Sequence, residues 1–160
     1  MSVVENVANH ADELESEVAN MNELMGKCPT GMQMLQTSQS MATSEEMMGL
    51  METIGNPEIP EKERMQLAEY MGEMLKRDPE NGLVQYAEYL EGVVKDPKYA
   101  KRIEYYGKIA ELSRSVNATD TYKEYIKAYN AFEADQSAEA KAARDATAKM
   151  QEKMKQWANG

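Results

Sequence analysis

Very little reactive chemistry is written into this chain. In 160 residues it has one cysteine, Cys28, one histidine, His10, one Phe and one Trp. A single cysteine excludes an internal disulfide. A single histidine, with no Glu three residues before it, excludes the Glu-x-x-His pairs that hold metals in helical bundles and zinc sites built from Cys and His. His10 falls off the Val7–Ala11 seam and reads as solvated. Cys28 has no second histidine to serve as its base, so it reads as a seam residue at a helix end. Glycines Gly26, Gly31, Gly49 and Gly55 are scattered singly, which excludes a glycine-rich phosphate loop. No catalytic residue, metal site or cofactor is expected, and the chain reads as a non-enzyme. No apolar run approaches the roughly 18 to 20 residues that span a bilayer. Neither does the start carry the basic and apolar regions of a signal peptide. Cytoplasm is the expected compartment.

What is present is unevenly placed. The net charge is −10. Residues 1–60 hold ten acidic side chains and one basic, Lys27, whereas residues 61–160 hold eighteen acidic and seventeen basic. Nearly all the excess sits in the first third. Phosphate binding needs clustered Lys and Arg, so direct nucleic-acid binding is not expected and a basic or amphipathic protein surface is the better partner. Residues 1–56 contain no Phe, Trp or Tyr, and eight of the fourteen Met lie between Met21 and Met51. All nine Tyr lie between Tyr70 and Tyr129. The breaker-rich stretch Gly55-Asn56-Pro57-Glu58-Ile59-Pro60 separates the two compositions. It predicts an acidic, Met-rich helical arm over 1–56 and a Tyr-rich helical body over 57–160.

Strand signals are absent, and helix starts and stops recur at short intervals. Val4, Val7, Ala11, Leu14, Val18, Met21, Met25 and Cys28 follow unbroken 3–4 spacing, which predicts a heptad helix over 2–28. Shorter helices are expected over 32–42 and 44–54, the second opened by the capping-box pair Thr43 and Glu46. Asp78-Pro79 and Asp96-Pro97 read as N-cap followed by Pro at the first helical position. Apolar stripes follow at Met65, Ala68, Met71 and Leu75, at Leu83, Tyr86, Leu90 and Val93, and at Ile103, Tyr106, Ala110 and Ser113. A Tyr-lined helix over Tyr122–Tyr129 and an Ala-rich last helix capped by Asp135 or Ser137 complete the chain. The expected fold is all-α: an antiparallel helical bundle, or a short helix-pair array, of about 7–8 helices. The junction Leu75–Gly82 resembles that of a tetratricopeptide repeat, but the signature positions of that repeat do not line up and no property follows.

Three functional readings are compatible with these features. The leading one is a protein–protein interaction module, such as an adaptor, a binding chaperone or a small structural subunit. Flexible, polarizable Met side chains re-pack around varied apolar partners, and the carboxylates around them attract basic ones. The candidate contact residues are Met21, Met25, Met32, Met34, Met41, Met48 and Met51. The heptad positions Val4, Val7, Ala11, Leu14 and Val18 are a candidate seam for a coiled-coil homodimer. A second reading is an acidic mimic of nucleic acid that blocks a basic groove. A third is Cu(I) binding, because Met32-x-Met34, Met48-x-x-Met51 and Met21-x-x-x-Met25 space thioethers as soft coordination requires. The pairs Glu69-Tyr70, Glu88-Tyr89, Glu104-Tyr105 and Glu124-Tyr125 either form an aromatic row or, the favoured account, fill helix seams with hydroxyls at the rim.

Overall fold

The computed structural model describes residue 5 and residues 8–159, with side chains as far as Trp157. Among the described residues it is all-α, with eight α-helices, one 3₁₀ segment and no strand. The helices are α1 (Ala11–Met25), α2 (Pro29–Ala42), α3 (Glu45–Ile54), α4 (Glu61–Arg77), α5 (Gly82–Val93), α6 (Ile103–Ala118), α7 (Asp120–Ala134) and α8 (Ala138–Asn159). The 3₁₀ segment, Pro97–Arg102, precedes α6.

The expected helix over 2–28 is not seen as one element. The described helix begins at Ala11 and stops at Met25, three residues early, because Pro29 opens α2 immediately beyond. Pro is tolerated in a first helical turn, where its missing N–H leaves no bond unmade. Seam positions Val4 and Val7 lie outside the described residues. The cap of α3 is Ser44, whose hydroxyl accepts the Met47 N–H at 3.3 Å. Thr43, the expected cap, instead donates its hydroxyl to the Gln39 carbonyl of the preceding helix. Asp96 caps its Pro-led segment as expected, accepting from Lys98 N, although the segment is 3₁₀. Asp78 spends its carboxylate on the turn, accepting from Asn81 N, and α5 starts only at Gly82.

Two compact units are present: Met1–Thr37 with Lys127–Gly160, and Ser38–Ile126. Their bounds differ from the compositional regions 1–56 and 57–160. Helix α3 lies on the Met-rich side by composition yet packs with helices beyond the breaker. Its Met47, Leu50 and Ile54 share one core with Leu67, Met71, Leu83, Tyr86, Leu90, Tyr106 and Ile109. A ten-residue helix is marginal alone, so its apolar face must be covered. Complete burial of Leu50, Leu83, Leu90 and Ile109 contributes about 1.5–3 kcal/mol per side chain.

Within this second unit the expected stripes hold for α5, where Leu83, Tyr86, Ala87 and Leu90 are all buried. They shift on α4, which turns Leu67 and Met71 inward. Ile103 departs from its stripe and is exposed at the start of α6. Buried tyrosines satisfy their hydroxyls on backbone: Tyr86 donates to the Leu67 carbonyl at 2.8 Å and Tyr122 to the Pro79 carbonyl at 2.6 Å. Burial pushes both phenols well above their ordinary range. Two buried polar atoms, Ser113 Oγ and Asn117 Oδ1, have no hydrogen-bond partner. They sit one turn apart on α6, and each represents a local desolvation cost of about 1–3 kcal/mol.

In the first unit α1 and α8 pack antiparallel. His10 stacks on Trp157, with centroids 4.6 Å apart and planes 5° from parallel. Farther along, Lys153 reaches both Glu13 and Glu17. At the other end Met25, Cys28, Phe132, Ala140 and Ala143 form a small core. Both candidate caps of the last helix take part: Ser137 Oγ accepts the Ala140 N–H, and Asp135 accepts the Ser137 N–H. Thr30 also donates to Asp135, and this bond leads the causes that hold the Asp135 carboxyl below its ordinary range. Gly31 is fixed by close approach, since a Cβ there would stand 2.3 Å from the Met25 carbonyl oxygen.

Candidate partner-binding surface

Four of the seven candidate methionines are buried or half-buried. Met21, Met25 and Met34 belong to the core of the first unit or pack against it, with Met25 buried. Met41 packs half-buried against the core of the second. That leaves Met32 exposed in the first unit and Met48 and Met51 exposed in the second, at 47%, 57% and 44%. Met48 and Met51 stand three residues apart on α3, so they share one edge of the helix. Of the proposed thioether pairs, only Met48 and Met51 are both exposed; Met32-x-Met34 points one side chain outward and one inward. Among the seam positions, Ala11 is exposed and Leu14 and Val18 are half-buried.

The α3 edge is chemically distinct. Its flank carries exposed Glu45, Glu46 and Glu52, and no Lys or Arg occurs between Lys27 and Lys62. Two acidic residues in its first turn complement the helix dipole and help the helix form. Its other side is anchored by Met47, Leu50 and Ile54, so rotation about the axis is blocked by packing.

A polar clamp fixes the far end. Tyr105 donates its hydroxyl to the Ile54 carbonyl at 2.6 Å. Arg64 Nε donates to the Ile59 carbonyl at 2.8 Å, and its guanidinium also reaches the Gly55 carbonyl at 3.4 Å. Next to these, Glu63 receives two bonds from Arg102, at 2.8 and 3.1 Å, and one from the Tyr106 hydroxyl at 3.0 Å. The Tyr105, Arg102 and Tyr106 partnerships were not legible in the sequence, because they span 39 to 51 residues. The Arg102 bonds hold the Glu63 carboxyl below its ordinary 4.5, with the Tyr106 bond adding to them against burial. A depressed folded pKa contributes stability above the unfolded value that is lost as pH falls through the folded one. Glu63→Gln is therefore expected to lower stability at neutral pH. The gap to wild type should close on acidification below about 4.5, and denaturant titrations at stepped pH check it. A gap that stays constant through the acid range would show that the carboxylate charge contributes nothing.

The Glu-Tyr pairs behave as seam fillers. Tyr70, Tyr105 and Tyr125 pack half-buried against the second unit's core, and only Tyr89 of the four is exposed. Their rings join separate small clusters rather than a row: Tyr70 with Tyr86 and Tyr89, Tyr105 with Tyr106 and Tyr99, and Tyr125 with Tyr122. Cys28 is buried. His10, read as solvated, is half-covered by its stack on Trp157.

No known protein family, curated protein or solved structure matches this chain. The surface itself must carry the functional reading. Among the described residues, no helix is long and apolar enough to cross a membrane.

Proposed function

We propose that this chain is a non-enzymatic helical interaction module, an adaptor or binding chaperone, that holds a basic amphipathic helix of another protein along the outer edge of α3. One observation carries the reading: Met48 and Met51 present two exposed thioethers on a packed helix whose own charged side chains are all carboxylates. Thioether chains mould to apolar anchors at i and i+3 or i+4 of a docking helix. The surrounding carboxylates steer its Lys and Arg side chains and fix its register. The clamp at Ile54, Gly55 and Ile59 supports the edge, so little ordering remains to be done on binding.

The test is titration of the full chain with a fluorescent helical peptide built of Leu and Lys. The comparison protein is Met48→Gln/Met51→Gln, which keeps side-chain length, helix propensity and net charge. Loss of two apolar contacts is expected to weaken binding at least tenfold, about 1.4 kcal/mol, while raised salt weakens the wild type only moderately. Equal affinities for the two proteins, with steep loss in salt, would overturn the reading in favour of electrostatic mimicry.

A further inference from the structure

The α1/α8 pair is under-covered along most of its length. Among the described residues of α1 and α8, the buried ones, Met25, Ala140, Ala143 and Ala146, lie toward the Met25 end of the pair. None of the described residues 8–24 is buried, and none of 147–157. Yet both helices carry apolar side chains there. Leu14, Val18 and Met21 are half-buried on α1, Met150 and Trp157 are half-buried on α8, and Met154 is exposed.

The register of the pair follows from its contacts: His10 meets Trp157, and Glu17 meets Lys153. By that register Leu14 lies level with Met154 and Val18 with Met150, giving a shallow apolar trough between the helices. Two helices have only one seam and cannot enclose a core, whereas four can.

The charges on either side of the trough are opposite. Helix α1 carries Asp12, Glu13, Glu15, Glu17 and Glu23 with no basic residue. The last turns of α8 carry Lys149, Lys153 and Lys155 against Glu152. Lys153 serves Glu13 and Glu17 of the same chain, while Asp12, Glu15, Lys149 and Lys155 are exposed.

We infer that this trough is a self-association surface whose occupant is a second copy of the chain. Two α1/α8 pairs join about a two-fold axis as a four-helix arrangement, so the same patch is used twice. Leu14, Val18, Met150 and Met154 of one copy are covered by those of the other. Glu15, on the outer flank of each α1, faces Lys155, on the outer flank of the other copy's α8. This complementarity selects another α1/α8 pair over an acidic or a uniformly basic partner. The inference is independent of the α3 edge, which lies in the other unit.

Sedimentation equilibrium of the full chain tests it. Wild type is expected at twice the chain mass in the micromolar range, with the dimer weakened by salt. Lys155→Glu changes only an exposed side chain and is expected to weaken dimerisation at least tenfold. Adding Glu15→Lys to that variant swaps the two signs and is expected to restore it. Leu14→Gln/Val18→Gln is expected to give monomer, with far-ultraviolet circular dichroism confirming that the helices persist. A monomeric wild type at the highest concentration reached would overturn the inference. So would a dimer that none of these variants changes, or a charge swap that fails to rescue.

Discussion

Leu50→Ala is expected to lower stability by about 3–4 kcal/mol, in line with large-to-small changes at fully buried leucines. Leu50 has no exposed surface and packs in the core formed by α3, α4, α5 and α6. Truncation removes three carbons from the buried face of a helix only ten residues long, whose position depends on that packing. A single domain has about 5–15 kcal/mol in all, so the denaturation midpoint should fall by a large fraction of its value. Met48→Ala, two residues away and exposed, supplies the control and should stay within about 0.5 kcal/mol. Equal midpoints for the two variants would mean that α3 does not belong to this core. In that case the acidic Met-rich stretch would be the separate arm its composition suggests.

Gly82→Ala reverses a familiar rule. Alanine in place of glycine inside a helix ordinarily adds about 1 kcal/mol. At Gly82, however, a Cβ would stand 2.6 Å from the Met74 carbonyl oxygen, 2.9 Å from its carbon and 3.0 Å from Leu75 Cα. All three are backbone atoms of α4, so no side-chain rotation can make room. Overpacking of this kind costs about 1–3 kcal/mol, and the turn resists adjustment because Gly82 N–H is held by the Asp78 carbonyl at 2.7 Å. The neighbouring Leu83 is fully buried and would be displaced with it. A net loss of about 2 kcal/mol is expected, set by the clash outweighing propensity. Gly92, near the other end of α5, faces open space, and Gly92→Ala there should gain up to about 1 kcal/mol. Chemical denaturation of the two variants side by side gives opposite signs if the close approach is real, and the same sign if it is not.

Which parts of this structure were readable beforehand follows from where the information resides. Periodicity is local, so the all-α class, the helix count and the inward face of α5 could be read directly. Proline and glycine punctuation located most turns. Caps were less secure, because neighbouring hydroxyls compete. Thr43 and Ser44 are adjacent, and which one caps α3 depends on the backbone angle at the junction, where Ser44 is extended at φ −66, ψ 147. The compact units were not readable. Charge and aromatic content change sharply at Gly55–Pro60, but burial depends on which faces meet, and α3 needs the leucines and tyrosines beyond the breaker. For the same reason a run of methionines could not be divided in advance into core and surface. Met47 and Met48 are adjacent and alike in chemistry, yet one is buried and the other is 57% exposed. The clamp on Glu63 had no signal at all, since ordinary Glu, Arg and Tyr residues acquire it only through the fold.

The separation of the aromatic residues has a practical consequence. The chain's single indole, Trp157, lies at the open end of the α1/α8 pair against His10. Eight of the nine phenols, from Tyr70 to Tyr125, lie within Ser38–Ile126. The first unit thus holds the one Trp and a single Tyr, and the second holds eight Tyr and no Trp. One melting experiment read at both emissions follows each unit without any label. Coincident curves would identify a single cooperative transition, and separated curves would give each unit its own midpoint.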